Sequence, residues 1–205
     1  MNTETEIQPA ARGPGDHEVR DQIVAAATEH FSHYGYEKTT VSDLARAIGF
    51  SKAYIYKFFA SKQSIGEAIC HTCLRGIELQ IEAAIASTDS APEQLRRMFR
   101  VAVEASVALF NQDRKLYEIA VAAASEGWPT AVAYEARVRG HLQKILERGR
   151  AAGDFERKTP LDEAAQAIYL VMRPYLNPLL LRQSLQYSED APVQLSSLIL
   201  RSLSP

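Results

Sequence analysis

Apolar side chains recur at helical spacing along most of the chain, and no stretch keeps the period of two that a half-buried strand needs. From Val19 they fall at Ile23, Ala27, Phe31 and Tyr34, and Gly35 follows as a left-handed stop. Thr40-Val41-Ser42-Asp43 has the form of a capping box, a hydroxyl at the helix start and an acid three residues on. It predicts a short helix carrying Val41, Leu44, Ala45 and Ile48, closed by Gly49. Ser51 is placed to cap a third short helix through Phe58. Ser61 is placed to cap a long fourth helix from about Lys62 to Ala86, with Ile65, Ile69, Cys73, Ile77 and Ile81 as its apolar stripe. Pro92 opens a helix to about Phe110, Arg114 to Ser125 makes another, and Pro129 opens one that ends near Gly149 or Gly153. A helix from Leu161 is interrupted by Pro174 and Pro178, and the last runs from about Pro192 to Leu203. The pattern predicts an all-α protein of about nine helices.

Charge changes this picture only locally. Over 205 residues the net charge is −2, so the total gives no sign of a nucleic-acid partner. The segment 44–66, however, contains Arg46, Lys52, Lys57 and Lys62 and no acid, a distribution that a phosphate backbone attracts. Within it, helix, tight turn at Gly49-Phe50 and second helix have the layout of a helix-turn-helix, whose second helix enters the major groove. Ile55, Phe58 and Phe59 fall on the side that packs inward. Tyr54 and Tyr56 are left to turn their hydroxyls outward, where a phenol can bond a phosphate oxygen. The plainer alternative is an amphipathic helix whose lysines snorkel over its apolar side.

The wider segment GYEKTTVSDLARAIGFSKAYIYKFFASKQSI, residues 35–65, resembles the DNA-binding domain of TetR-family transcriptional regulators. The resemblance is carried by Gly35-Tyr36, Thr39-Thr40-Val41, Leu44-Ala45, Gly49-Phe50-Ser51-Lys52, Ile55-Tyr56, Phe59 and Lys62. It implies a homodimeric repressor of a double-stranded DNA operator, with a three-helix reading head and a C-terminal helical domain for ligand binding and dimerisation. The expected division is a disordered tail over 1–16, a DNA-binding domain over 17–62 and the second domain over 63–205. By position, Ser42 lies near the start of the second helix and faces DNA, while Lys52, Ala53, Tyr54 and Lys57 face the groove. Tyr56 and Lys62 hold phosphate, and Thr40 and Ser51, the two caps, complete the DNA-contact set. Tyr54, Lys57 and Phe58 depart from the commoner family pattern, and Phe58, which cannot donate a hydrogen bond, is assigned to packing.

A two-fold symmetric reader needs a partner surface, and the helix over about 161–182 is apolar nearly all round, so it and the last helix, 192–203, are the expected homodimer contacts. An unknown small-molecule effector is expected in a pocket drawn from Phe110, Tyr117, Trp128, Tyr134, His141, Tyr169, Met172, Arg173 and Asn177. For each alone, core packing is the competing role. Arg173 amid apolar neighbours calls for a partner, either an anionic ligand or an acid such as Glu135.

Cys70-His71-Thr72-Cys73 could place two thiols on one helix face, which leaves a redox-sensing alternative. No second cysteine pair completes a zinc site, so no metal and no cofactor are expected. The tail shows no secretory signal, the apolar run at 164–181 is broken by Gln166, Arg173, Asn177 and two prolines, and two cysteines suit a reducing interior. A cytoplasmic protein without a membrane span is expected. No nucleophile elbow, phosphate loop, dinucleotide fingerprint or metalloprotease motif supports the rival reading of an all-helical enzyme.

Overall fold

The computed structural model describes residues 15–205. Of the tail expected over 1–16, residues 1–14 lie outside the described residues, and Asp16 already belongs to the first helix. Three helices form the N-terminal unit: α1 (Asp16–Tyr34), α2 (Val41–Ile48) and α3 (Lys52–Phe58). They are followed by α4 (Lys62–Ala86), α5 (Ala91–Gln112), α6 (Arg114–Glu126) and α7 (Pro129–Ala152). The chain ends with α8 (Leu161–Leu176), α9 (Pro178–Ser184), a 3-10 turn at Leu185–Tyr187, and α10 (Ala191–Ser202). No strand occurs among the described residues.

Local chemistry explains the boundaries. The Thr40 hydroxyl accepts the Asp43 N–H at 3.2 Å while the Asp43 carboxylate accepts the Thr40 N–H at 3.0 Å, so the predicted capping box forms. Gly49 then ends α2 at a φ of 80°, a left-handed backbone that a side chain would strain. Ser51 accepts the Tyr54 N–H at 3.1 Å and starts α3, and Ser61 accepts the Ser64 N–H at 3.1 Å and starts α4. The stretch from Leu161 is where the pattern and the fold differ. Helix α8 runs through Pro174 and stops at Leu176, and the Asn177 side chain accepts the Leu179 N–H at 3.0 Å to begin a separate α9. One interrupted helix is therefore two, giving ten α-helices among the described residues rather than about nine.

Ile23, Phe31, Leu44 and Ile55 are fully buried and hold α1 to α3 together. Helix α4 leaves that unit and packs along α5 and α7, α8 packs on α7, and α10 lies against α5. The N-terminal unit is fastened to the rest by aromatic rings. Phe31 meets Tyr36 edge-on at 5.2 Å between centroids, and Tyr36 meets Trp128 at 5.8 Å. Gly66 of α4 makes room for both, because a Cβ there would lie 3.0 Å from each ring. A second fastening joins α6 to α1: the Ser32 hydroxyl donates to Asp113, and the Lys115 ammonium donates to the His33 carbonyl at the end of α1.

Candidate functional site

Two sites stand out, one on the N-terminal unit that precedes α4 and the other against the middle of α4. At the first, α3 buries Ile55 and presents Lys52, Ala53, Tyr56 and Lys57 to solvent, with Ser42 and Arg46 exposed on α2. Tyr54 and Tyr56 are 38% and 43% exposed, so each ring is half committed to the protein surface. Tyr54 stands edge-on between Phe50 and Phe58, at 5.0 and 5.3 Å, which fixes the ring and leaves the hydroxyl end outward. The Lys52 ammonium lies 5.7 Å from the Tyr56 ring centre. Among the described residues Lys57 has a distant, exposed pairing with Asp16 at 4.0 Å and lies 5.5 Å from the Phe58 ring centre, which leaves its charge available to a polyanion. Arg46 is 81% exposed and loosely paired with Asp43 at 3.8 Å; it adds a cation to this face that the sequence-derived site set omits, although it sits in the acid-free segment.

Three predicted contacts have jobs inside the protein. Thr40 and Ser51 spend hydrogen-bonding capacity on helix caps, and the hydrogen bonds from Thr40 hold the Asp43 carboxyl below its ordinary range. Lys62 is the third. Its ammonium is not directed at solvent but donates to the Tyr36 carbonyl at 3.0 Å and sits 4.3 Å from the Tyr36 ring centre. The long side chain reaches back to the turn after α1, where exposed carbonyls and an aromatic face attract a cation more closely than bulk water does.

The second site is a mostly apolar cavity whose walls surround about 640 Å³, open solvent at its mouth included, of which about 40 Å³ is enclosed free volume. Cys70, Leu74 and Ile77 of α4, Ser106 and Leu109 of α5, and Tyr117, Ala120 and Ala124 of α6 form three walls. Ala131, Tyr134, Glu135 and Val138 of α7, with Tyr169, Leu176 and Pro178, close it. The small side chains of α6 create the space. Tyr117 donates to the Pro178 carbonyl at 3.2 Å, and burial pushes its phenol up to about 12. Tyr134 is 7% exposed and its hydroxyl has no hydrogen-bond partner; burial, followed by the Glu78 charge, pushes its ionisation up. Burial and then the Glu135 carboxylate do the same to Tyr169.

Of the nine predicted pocket residues, Tyr117, Tyr134 and Tyr169 line this cavity. Phe110 stands behind the wall, edge-on to Tyr117 at 4.9 Å, and Asn177 stands behind Glu135 with its amide 3.5 Å from that carboxylate. The other four are corrections. Trp128 is 2% exposed and packs into the junction with Tyr36 and Gly66, its indole N–H donating to Glu126 at 2.8 Å. Met172 is fully buried in the core, and Arg173 is exposed, because the α8 face that carries it turns outward.

His141 lies farther along α7 beside Glu78 and Glu82, with one donor atom of each within 4.8 Å of the others. That trio has metal-ligand chemistry, but Arg137 reaches Glu78 at 2.7 Å and Arg75 reaches both acids at 3.1 Å. Two guanidinium groups supply the countercharge a cation would bring, so the cluster reads as an ion-pair network between α4 and α7. Leu74, Leu109, the α6 alanines and Glu135 are cavity residues absent from the predicted set. Only the run of alanines in α6 signals space in the sequence.

Neither cysteine sits where its thiolate is favoured. Burial pushes the Cys70 thiol up to about 12 and raises Cys73 as well, the reverse of the thiolate activation that oxidation requires.

A basic, phenol-bearing helix-turn-helix joined to a helical body defines a DNA-binding regulator. Comparison with known proteins agrees. Residues 23–69 match the family of bacterial regulatory proteins called tetR, and residues 91–194 match the tetracyclin repressor-like C-terminal domain. The chain belongs to the TetR family of transcriptional regulators, which are transcription factors and not enzymes. Among curated relatives, the uncharacterized HTH-type transcriptional regulator YhgD of Bacillus subtilis is 26% identical over 105 residues, 48% of this chain and 55% of that protein. The IcaR negative transcriptional regulator of the biofilm operon icaADBC, from Staphylococcus aureus, is 38% identical over 55 residues, 27% of this chain and 30% of that protein. The chain thus spans about half the length of the first and less than a third of the second. Among solved structures, the TetR family transcriptional regulator PfmR from Thermus thermophilus superposes with a TM-score of 0.58 at 26% identity, covering 87% of this chain and 97% of that one. A protein from Rhodococcus sp. RHA1 superposes with a TM-score of 0.71 at 17% identity, covering 97% and 100%, which shows the shared fold. No helix among the described residues is long and apolar enough to cross a membrane.

Proposed function

We propose that this chain is a cytoplasmic repressor that binds a palindromic operator as a homodimer and releases it when a small amphipathic molecule fills the cavity. Residues 17–62 act as the reading head and 63–205 as the sensing and dimerising domain. Ser42, Lys52, Ala53, Tyr54, Tyr56 and Lys57 contact DNA, joined by Arg46.

The observation that carries the reading is the position of α6. One face holds Tyr117, Ala120 and Ala124 against the cavity, and its first turn is bonded to the end of α1 through Asp113 and Lys115. A ligand that shifts α6 therefore pulls on the head directly. Helix α4, which starts in the head and also lines the cavity, is a second connection and not the sole one. Release requires the ligand to bind the DNA-free arrangement more tightly, by about 5.5 kcal/mol to take occupancy from 99% to 1%.

The dimer contact is drawn from the outward apolar residues of α8, α9 and α10. Leu170, Leu179 and Leu198 are 53%, 39% and 55% exposed, apolar side chains that a partner would cover. Ile168 is buried and packs within the chain, so it does not belong to this surface. Selection from random duplexes followed by sedimentation tests the reading. A palindromic site bound by two chains is expected, with Leu198→Glu giving monomers that lose it. A stable monomer that binds a single asymmetric site sinks the proposal.

A further inference from the structure

The charge lining the cavity is one-sided. Among the lining residues Glu135 is the only charged side chain, and lysine, arginine and histidine are absent. Glu135 makes no ion pair within 4.0 Å among the described residues. Its polar neighbours are neutral groups, the Asn177 amide at 3.5 Å and the Tyr169 phenol. Arg139, one helical turn along α7, is exposed and lies over the Tyr169 ring at 5.8 Å instead, and Arg173 is exposed. The acid is thus half-buried at an apolar wall with no ion-pair partner within 4.0 Å among the described residues, and a cation entering the cavity would supply one.

Three phenol rings, Tyr117, Tyr134 and Tyr169, line the same space, and ring faces attract cations more strongly once water is excluded. The Tyr134 hydroxyl, buried and without a partner, offers a lone pair to a polar head. A free carboxylate or phosphate in this space would face Glu135, while the nearest basic groups, Arg139 and Arg173, are exposed and stand outside the lining, beyond Tyr169.

We propose that the cavity selects a lipophilic monocation, an amine or quaternary ammonium head seated against Glu135 among the tyrosines, with an apolar body along Leu74, Leu109 and Leu176. This assignment rests on the cavity being the effector site, as proposed above. An acid and aromatic rings reward a cation; an apolar tail gains from burial in proportion to its area.

Three probes with one decyl chain separate the possibilities: decyltrimethylammonium, decanol and decanoate, each titrated into the full chain by calorimetry. The cation is expected to bind about tenfold more tightly than decanol, and decanoate most weakly. Glu135→Gln is expected to cost the cation about tenfold while leaving decanol unchanged. Because the probe series on the unaltered protein needs no variant, the outcome does not depend on how the Glu135→Gln chain folds. Decanoate binding as tightly as the cation, or an unaltered cation affinity in the Glu135→Gln protein, overturns the cationic assignment and leaves the cavity standing. If none of the three binds, or if Ala124→Trp, which fills the space, leaves binding intact in a chain that melts normally, the cavity itself is not the effector site.

Discussion

Tyr134 and Cys70 show how burial sets the chemistry of single groups in the cavity wall. A phenol without a partner has lost its water and gained nothing in return, a cost of about 1 kcal/mol or more. Tyr134→Phe is therefore expected to leave stability unchanged or raise it by up to about 1 kcal/mol in thermal melts without ligand. A loss above that would mean the hydroxyl has a partner after all. Cys70 titrates at about 12 in the fold against 9.0 when exposed, so the folded chain keeps its proton where the unfolded chain releases it. Stability contributed by this group is complete below about pH 9 and declines as pH rises toward 12. The same shift predicts slow alkylation: at pH 8 the native protein should react with iodoacetamide far more slowly than the unfolded chain at the same pH. Equal rates would restore the redox reading. Lys62 makes the complementary point, since a residue with a cationic side chain at a family phosphate position is here tied to the carbonyl of Tyr36.

At the scale of elements, the boundaries were legible because caps are local. Thr40 with Asp43, Ser51, Ser61 and Gly49 act within a few residues, and each forms as its spacing implies. Side-chain destinations were less legible, because they depend on packing between helices far apart in the chain. Trp128 reads as a pocket aromatic from composition, yet it is drawn to the junction by Tyr36, distant in sequence, and by the space over Gly66. Glu135 reads as a candidate partner for Arg173, yet Arg173 is exposed and the neutral Asn177 amide stands beside the acid instead. The junction yields a direct prediction. A Cβ at Gly66 would press on two buried rings that have little room to shift, so Gly66→Ala should cost about 1–3 kcal/mol in denaturant unfolding, as overpacked cores do. A neutral substitution would show that the rings can give way. The link from α6 to α1 predicts a separable effect: Lys115→Met should weaken ligand-driven release more than it weakens binding to either the operator or the ligand. An unaltered coupling would return the lever to α4 alone.

For the molecule as a whole, net charge conceals function. A chain of charge −2 still carries a local group of exposed cations, Arg46, Lys52 and Lys57 on α2 and α3, and no acid interrupts the sequence between 44 and 66. Binding to a polyanion at that face must release counterions, and the number released is read from the dependence of affinity on salt. The most direct measurement is a titration of a selected operator duplex by fluorescence anisotropy at several salt concentrations. It should be made for the unaltered protein and for the Lys57→Ala, Arg46→Ala and Lys158→Ala variants. Affinity is predicted to fall steeply and linearly on logarithmic axes, with the slope reduced by about one per protomer for Lys57→Ala and Arg46→Ala and unchanged for the remote Lys158→Ala. Binding that ignores salt, or slopes that are the same in all four proteins, would contradict the assignment of this face to DNA.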